Sequence, residues 1–430
     1  MEYALPVVQG FFPLDEELAL LPGSLTPHLQ ECLVRLGAWM PFRPAAELLR
    51  AFTGVAVTEA TVRRQSERAG AALVALQDEE AVRIKREAPP APMGPVKQLL
   101  SVDGAMVPLL HGQWAEVKTL VIGEVEEAVL ERGEWTVHSG QLSYFSRLTD
   151  SKAFEWLALV ETHRRGVENA RQVCAVTDGA DWEQSFIDLH RPDAVRILDF
   201  AHAAGRISQM GQAIWGEGTA EALSWLKLQL HRLKQDGPCG VLAELRALTE
   251  AHAGMALLGE NLAYLEKREA HLQYPRYQLQ GLPIGSGAVE SGNKLVVQAR
   301  LKGAGMHWAQ SHVNPMLALR NVVCSDRWAE AWPQVATSLR RQVAQQRRVC
   351  QRSHCATVPI PPETALPSVA PDAPVAPLPL PSDAVIQPTP SAVAAGPKQP
   401  HRPAPDHPWR HSPIGRARYK PREPKPHAKT

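Results

Sequence analysis

The chain has 430 residues, 44% of them apolar, and its 46 Lys and Arg against 45 Asp and Glu leave a net charge of +1. That length allows a large core and two or three domains, while the even charge balance excludes a protein that holds nucleic acid by bulk charge, so any such surface has to come from local clusters. Six cysteines without a CxxC pair or a regular framework read most simply as those of a reduced, cytoplasmic protein, and no apolar run nears the roughly 20 residues of a bilayer span.

The first residues, MEYALPVVQGFFPLDEELALLPG, carry Asp15, Glu16 and Glu17 where a secretory leader would be uninterruptedly apolar. Residues 1–95 are rich in Leu, Ala, Glu and Arg at helical spacing and are expected to form a helical DNA-binding domain. Within it, 41–70 reads as a short helix over 45–52, a turn at Gly54, and a second helix capped by Thr58 and Glu59 that carries Arg63, Arg64 and Arg68. That layout is helix-turn-helix-like, with the arginines as DNA contacts; an ordinary helical hairpin with a solvated basic face gives the same pattern. A Pro-containing linker over 83–97 follows.

Beyond it the period changes from helical to extended. QLLSVDGAMV, VKTLVIGEVEE and QLSYFSRLT read as three antiparallel strands, SKAFEWLALVETHRRGVENA as one amphipathic helix, and QVCAVTDGA and AVRILDF as two more strands. Three strands, a helix and two strands is the order of an RNase H-like α/β core, although a generic α/β domain alternates similarly. An all-α insertion is expected at about 203–282, the core closes at about 330, and 331–356 reads as a helical extension. The remainder, 357–430, holds 20 of the 37 prolines and is expected to be a disordered basic tail suited to nonspecific phosphate contact. Cys350, His354 and Cys355 sit close together just before it; without a second pair at ligand spacing they read as an exposed helix end rather than a zinc knuckle.

Three acids stand out. Asp103 in SVDGAMVP and Asp178 in VCAVTDGADW end short β-branched runs, and Glu290 in IGSGAVESGNK opens a helical segment. Two strand-end aspartates and a helix glutamate could hold two Mg2+ ions, with Mn2+ as a substitute, because magnesium is served by a few hard carboxylate oxygens plus substrate phosphate. In that arrangement Asp103 bridges, Asp178 binds one metal and Glu290 the other; a lone strand-end acid is otherwise a loop carboxylate or a helix cap.

The ordered stretches FPLDEELALLPG, RLGAWMPF, AAELLRAFTGV, SVDGAMVPL, EVKTLVIGEV, LSYFSRL, VTDGADW, RPDAVRILDFAHA and GSGAVESGNK resemble DDE transposases of the ISKra family of bacterial insertion sequences, up to about residue 330. The resemblance implies an RNase H-like catalytic core with a helical insertion and a triad of Asp103, Asp178 and Glu290. It also draws in Asp199 and His202 of ILDFAHA, which match the acid-or-Cys, two residues, His pattern of the related Mutator-like transposases; the plain alternative is a packed histidine with Asp199 as helix cap. After Glu290, Lys294, Arg300 and Lys302 could share a helix face and grip DNA, and His307 and Trp308 could stack on an unpaired base, a core tryptophan being the commoner outcome.

The implied activity is metal-dependent cleavage and strand transfer on double-stranded DNA, at element ends and target, by a homodimer or larger assembly near the nucleoid. An RNase H-like nuclease without strand transfer, or an inactive DNA-binding regulator derived from a transposase, would keep the same fold.

Overall fold

The computed structural model describes residues 25–131 and 134–355, all within one compact unit, Met1–Pro359. The basic tail expected over 357–430 and the side chains of Cys350, His354 and Cys355 lie outside the described residues.

The centre is a mixed α/β arrangement. Strands β1 (Lys97–Pro108), β2 (Trp114–Val125), β5 (Ser139–Arg147), β6 (Gln172–Thr177) and β7 (Val195–Leu198) form one sheet in the order β5-β2-β1-β6-β7. β1 is antiparallel to β2, which is antiparallel to β5, whereas β6 runs parallel to β1 and β7 parallel to β6. A small hairpin that the sequence reading does not anticipate, β3 (Val129–Glu131) with β4 (Glu134–Thr136), sits between β2 and β5.

The two-residue pleat sorts side chains to opposite faces. From β1, Leu100 and Val102 join Leu120, Ile122, Phe145 and Phe186 in one cluster, while neighbouring Leu99 joins Cys174, Val176 and Ile197 in another. The first cluster is roofed by α4 (Ser151–Leu157) and α6 (Asp181–His190), and by Ala158 at the junction of α4 with α5 (Leu159–Arg164). The single helix expected from 151 onward is broken at Ala158 into α4 and α5. The second cluster is covered by α7 (Phe200–Trp215), α8 (Ala220–Gln235), α9 (Pro238–Ala251), α10 (Ala256–Glu266) and α11 (Tyr274–Leu279), a helical block between β7 and α12 (Gly287–Gly292).

The amino-terminal helices do not stand apart. Helices α1 (Pro27–Trp39), α2 (Phe42–Thr53) and α3 (Glu59–Glu87) share a third cluster with Val117, Val121 and Tyr144 of the sheet and with α14 (Gln310–Cys324) and α15 (Trp328–Cys355). α2 ends at Gly54, whose φ of 73° is the left-handed turn that glycine adopts without strain. Thr58 then caps α3 by accepting from the Thr61 N–H at 3.2 Å. α3 runs for 29 residues, and Gly70 within it lets its backbone lie directly against α14: a Cβ there would stand 2.2 Å from the Pro315 carbonyl oxygen.

Candidate metal site

Asp103 lies inside β1, paired across to Thr119, and not at a strand end as the sequence pattern implies. What ends near it is the parallel pairing: β1 and β6 part after Leu100 and Ala175, and Asp103 and Asp178 each stand three residues further on. Neighbouring strands thus deliver two carboxylates side by side. Asp103 Oδ1 accepts from the Gly104 N–H at 2.7 Å and Oδ2 from Asn293 Nδ2 at 2.8 Å. Asp178 Oδ1 accepts from the Ala180 N–H at 3.0 Å, a turn that Gly179 completes at φ +83°.

A third acid joins them. Glu183, in the first turn of α6, is buried, and its Oε2 accepts from the Gly179 and Ala180 N–H groups at 2.9 and 3.0 Å. Carboxylate oxygens of Asp103, Asp178 and Glu183 lie within 4.8 Å of one another. None of the three forms an ion pair with a Lys or Arg among the described residues.

The charges confirm the crowding. Burial pushes the Asp103 carboxyl up, and the Asp178 and Glu290 carboxylates add to it, against the Gly104 and Asn293 hydrogen bonds. Burial above all, then Asp178, pushes the Glu183 carboxyl up to about 9. Packed acids without a counter-charge keep a proton or take a cation, and an all-oxygen set without His or Cys suits Mg2+, Mn2+ or Ca2+. The residues therefore fit a hard divalent cation, with Glu183 in the tight cluster.

The turn carrying Asp178 is gripped from the helical block. Tyr264 in α10 donates its hydroxyl to the Asp178 carbonyl, and Arg268 Nε donates to the Gly179 carbonyl at 3.0 Å. The Arg268 and Arg206 guanidinium groups lie 3.8 and 4.3 Å from the Tyr264 ring centroid, and the half-buried His202 ring is 5.8 Å from it. Asp199 does not face the acids. It is buried and caps α7, its Oδ2 accepting from the His202 N–H and its Oδ1 from the Ser286 N–H, both at 2.7 Å.

Glu290 stands outside the tight cluster, on the exposed face of helix α12, with Lys294 Nζ 4.0 Å from its Oε2. It is near enough for its charge to act on Asp103, and Asn293, one turn on, touches Asp103 directly. The basic residues that follow do not share a face. The helix passes through a π-turn (Asn293–Gln298) into α13 (Ala299–Leu301), leaving Lys294 and Lys302 exposed but Arg300 buried. Arg300 is therefore no DNA contact: its Nε donates to the Gly37 carbonyl at 3.0 Å, and its guanidinium packs on Phe42 and Trp308. Trp308 is likewise core, its Nε1 donating to the Leu301 carbonyl at 3.1 Å. Arg63 and Arg64 on α3 are exposed and Arg68 partly so.

The sequence reading misses Glu183, Asn293, Tyr264 and Arg268. Two left a trace: Glu183 is the third residue of a helix opened by a DG turn, where an acid caps free N–H groups, and Asn293 is i+3 from Glu290, hence on its face. No protein-family model matches the chain, and no curated protein matches it in sequence.

Proposed function

We propose that the chain is a DDE-type transposase: it binds the ends of an insertion sequence, cuts DNA, and joins the freed 3′ end to target DNA with divalent metal. The observation that carries this is the pair Asp103 and Asp178, set side by side at neighbouring parallel strands, with Glu183 against them and no basic partner among the described residues. Strand order β5-β2-β1-β6-β7, with the three edge-side strands antiparallel and the last two parallel to β1, supports an RNase H-like core. The helical block before α12 then corresponds to an all-α insertion, and α2, Gly54 and capped α3 to a helix-turn-helix-like element with Arg63, Arg64 and Arg68 toward DNA.

Bound Mg2+ or Mn2+ would supply an activated hydroxyl and neutralise charge at the scissile phosphate. Asp103, fixed by Gly104 and Asn293, and Asp178, fixed by Ala180, are the ligands held in place before any cation arrives. Glu183 anchors the Asp178 turn and offers a further oxygen. Glu290, exposed beside them, completes the set from the DNA side, while Lys294 and Lys302 contact backbone phosphate and His202 stands at the rim. Both cleavage and joining are in-line displacements at phosphorus, so no protein side chain needs to become covalently attached.

Asp103→Asn tests this. In Mg2+, nicking and joining of supercoiled DNA carrying element ends should fall by roughly a thousandfold, on the scale of losing a group that acts in the transition state, while end binding persists. A variant that still cuts removes Asp103 from the chemistry.

A further inference from the structure

The amide of Asn293 is built into the acidic centre with half of its hydrogen-bonding capacity unused. It is 3% exposed. Nδ2 donates to Asp103 Oδ2 at 2.8 Å, whereas Oδ1, on the same carbon, is buried without a partner. Buried polar groups are nearly always paired, so an orphan acceptor on the amide that holds Asp103 calls for a reason.

The backbone holds the amide there. Asn293 opens the π-turn, a widened turn found chiefly at functional positions. Gly292 just before it lies against β2 and β5, where a Cβ would meet Val121 Cγ2 at 2.8 Å, so the helix sits as close to the sheet as glycine permits. The neutral amide suits the place better than an acid would, since it donates to Asp103 without adding another carboxylate to the apo cluster.

We propose that Asn293 is a positioning residue for the divalent cation: Nδ2 fixes the Asp103 carboxylate in the pose that a cation needs, and the unpaired Oδ1 is what that hold costs the fold. This rests on the acidic cluster being a metal site, as proposed above. Hard cations such as Mg2+ and Mn2+ are held through carboxylate oxygens at short, defined distances, so an amide that fixes Asp103 in advance favours their binding. Partners of this kind govern metal affinity by about 10- to 100-fold.

The test is Mn2+ binding to the full chain by titration calorimetry without DNA, alongside urea unfolding without metal. Asn293→Leu should weaken Mn2+ at least tenfold and leave the apo urea midpoint unchanged or higher, because it also removes the orphan oxygen. Asn293→Ser, small enough to fit should Leu not fold, should weaken Mn2+ to a similar degree. A merely structural Asn293 would instead lower the midpoint and leave affinity alone. Leu and Ser variants within twofold of the parent overturn this role while the metal site stands. A parent chain that takes up no Mn2+ overturns both the role and the proposed function.

Discussion

Replacing Asp199 with alanine separates a helix cap from a group acting on DNA. Its carboxylate accepts two backbone N–H groups, from His202 and Ser286, each at 2.7 Å in a buried setting. Losing the cap of α7 costs about 1 kcal/mol, and leaving the part-buried Ser286 N–H without an acceptor about 2 kcal/mol more. Asp199→Ala should therefore lose roughly 3 kcal/mol of stability. Asp199→Ser keeps a good cap but cannot reach Ser286, and should lose only about 2 kcal/mol. The measurement is the shift in the urea midpoint at unchanged slope, paired with DNA nicking at a temperature where both variants stay folded. Should Asp199→Ala lie within about 0.5 kcal/mol of the parent while nicking is lost, the cap explanation is wrong and Asp199 acts on the DNA.

Four other outcomes follow from the same structure. His190 is buried, its Nε2 donating to the Glu155 carbonyl at 2.9 Å and its Nδ1 facing the Thr162 hydroxyl at 3.1 Å; burial lowers it to about 4. The folded chain thus resists a proton that the unfolded chain takes up below pH 6.5, so this contribution is complete above pH 6.5 and falls away toward pH 4, by about 3 kcal/mol in all. His190→Gln should flatten that part of a stability-versus-pH curve; an unchanged slope would place the acid sensitivity elsewhere. Arg300→Ala should lose about 3 kcal/mol of stability, through the Gly37 bond and the Phe42 and Trp308 packing, with no change in the salt dependence of DNA binding. Lys302→Ala should do the reverse, lowering the slope of log affinity against log salt by about 1. Gly70→Ala sets about 1 kcal/mol of gained helix propensity against a Cβ 2.2 Å from backbone that cannot yield. The clash should win by 1 kcal/mol or more, and a thermal midpoint at or above the parent's would contradict the α3–α14 packing.

The five strands of the main sheet were legible because β-branched runs are set off there by turns, and Asp178 was legible because DG follows such a run; the three-residue strands of the β3–β4 hairpin are too short to show a pattern. The site's remaining parts were not, for identifiable reasons. Glu183 reads as an ordinary capping acid until β1 is seen to bring Asp103 against it. Asn293 matters only through a contact to Asp103 that spans the chain. Arg300 looks like any surface arginine in sequence, since nothing local announces that Phe42 and Trp308 will enclose it. Asp103 seemed to end its strand because Gly104 breaks the apolar run, yet the antiparallel ladder with β2 carries β1 on to Pro108. The amino-terminal helices looked separable because the Gly70–Pro315 approach joins segments remote in sequence.

The hold of Tyr264 and Arg268 on the carbonyls of Asp178 and Gly179 bears on how far the molecule can be trimmed. A miniaturised version that replaced 200–282 by a short turn would retain every strand and every acid of the cluster, yet lose the two side chains that brace the Asp178 turn from outside. The helical block is thus part of the jig that aligns the acids, and pressure applied to its outer surface has a short mechanical route to one of them.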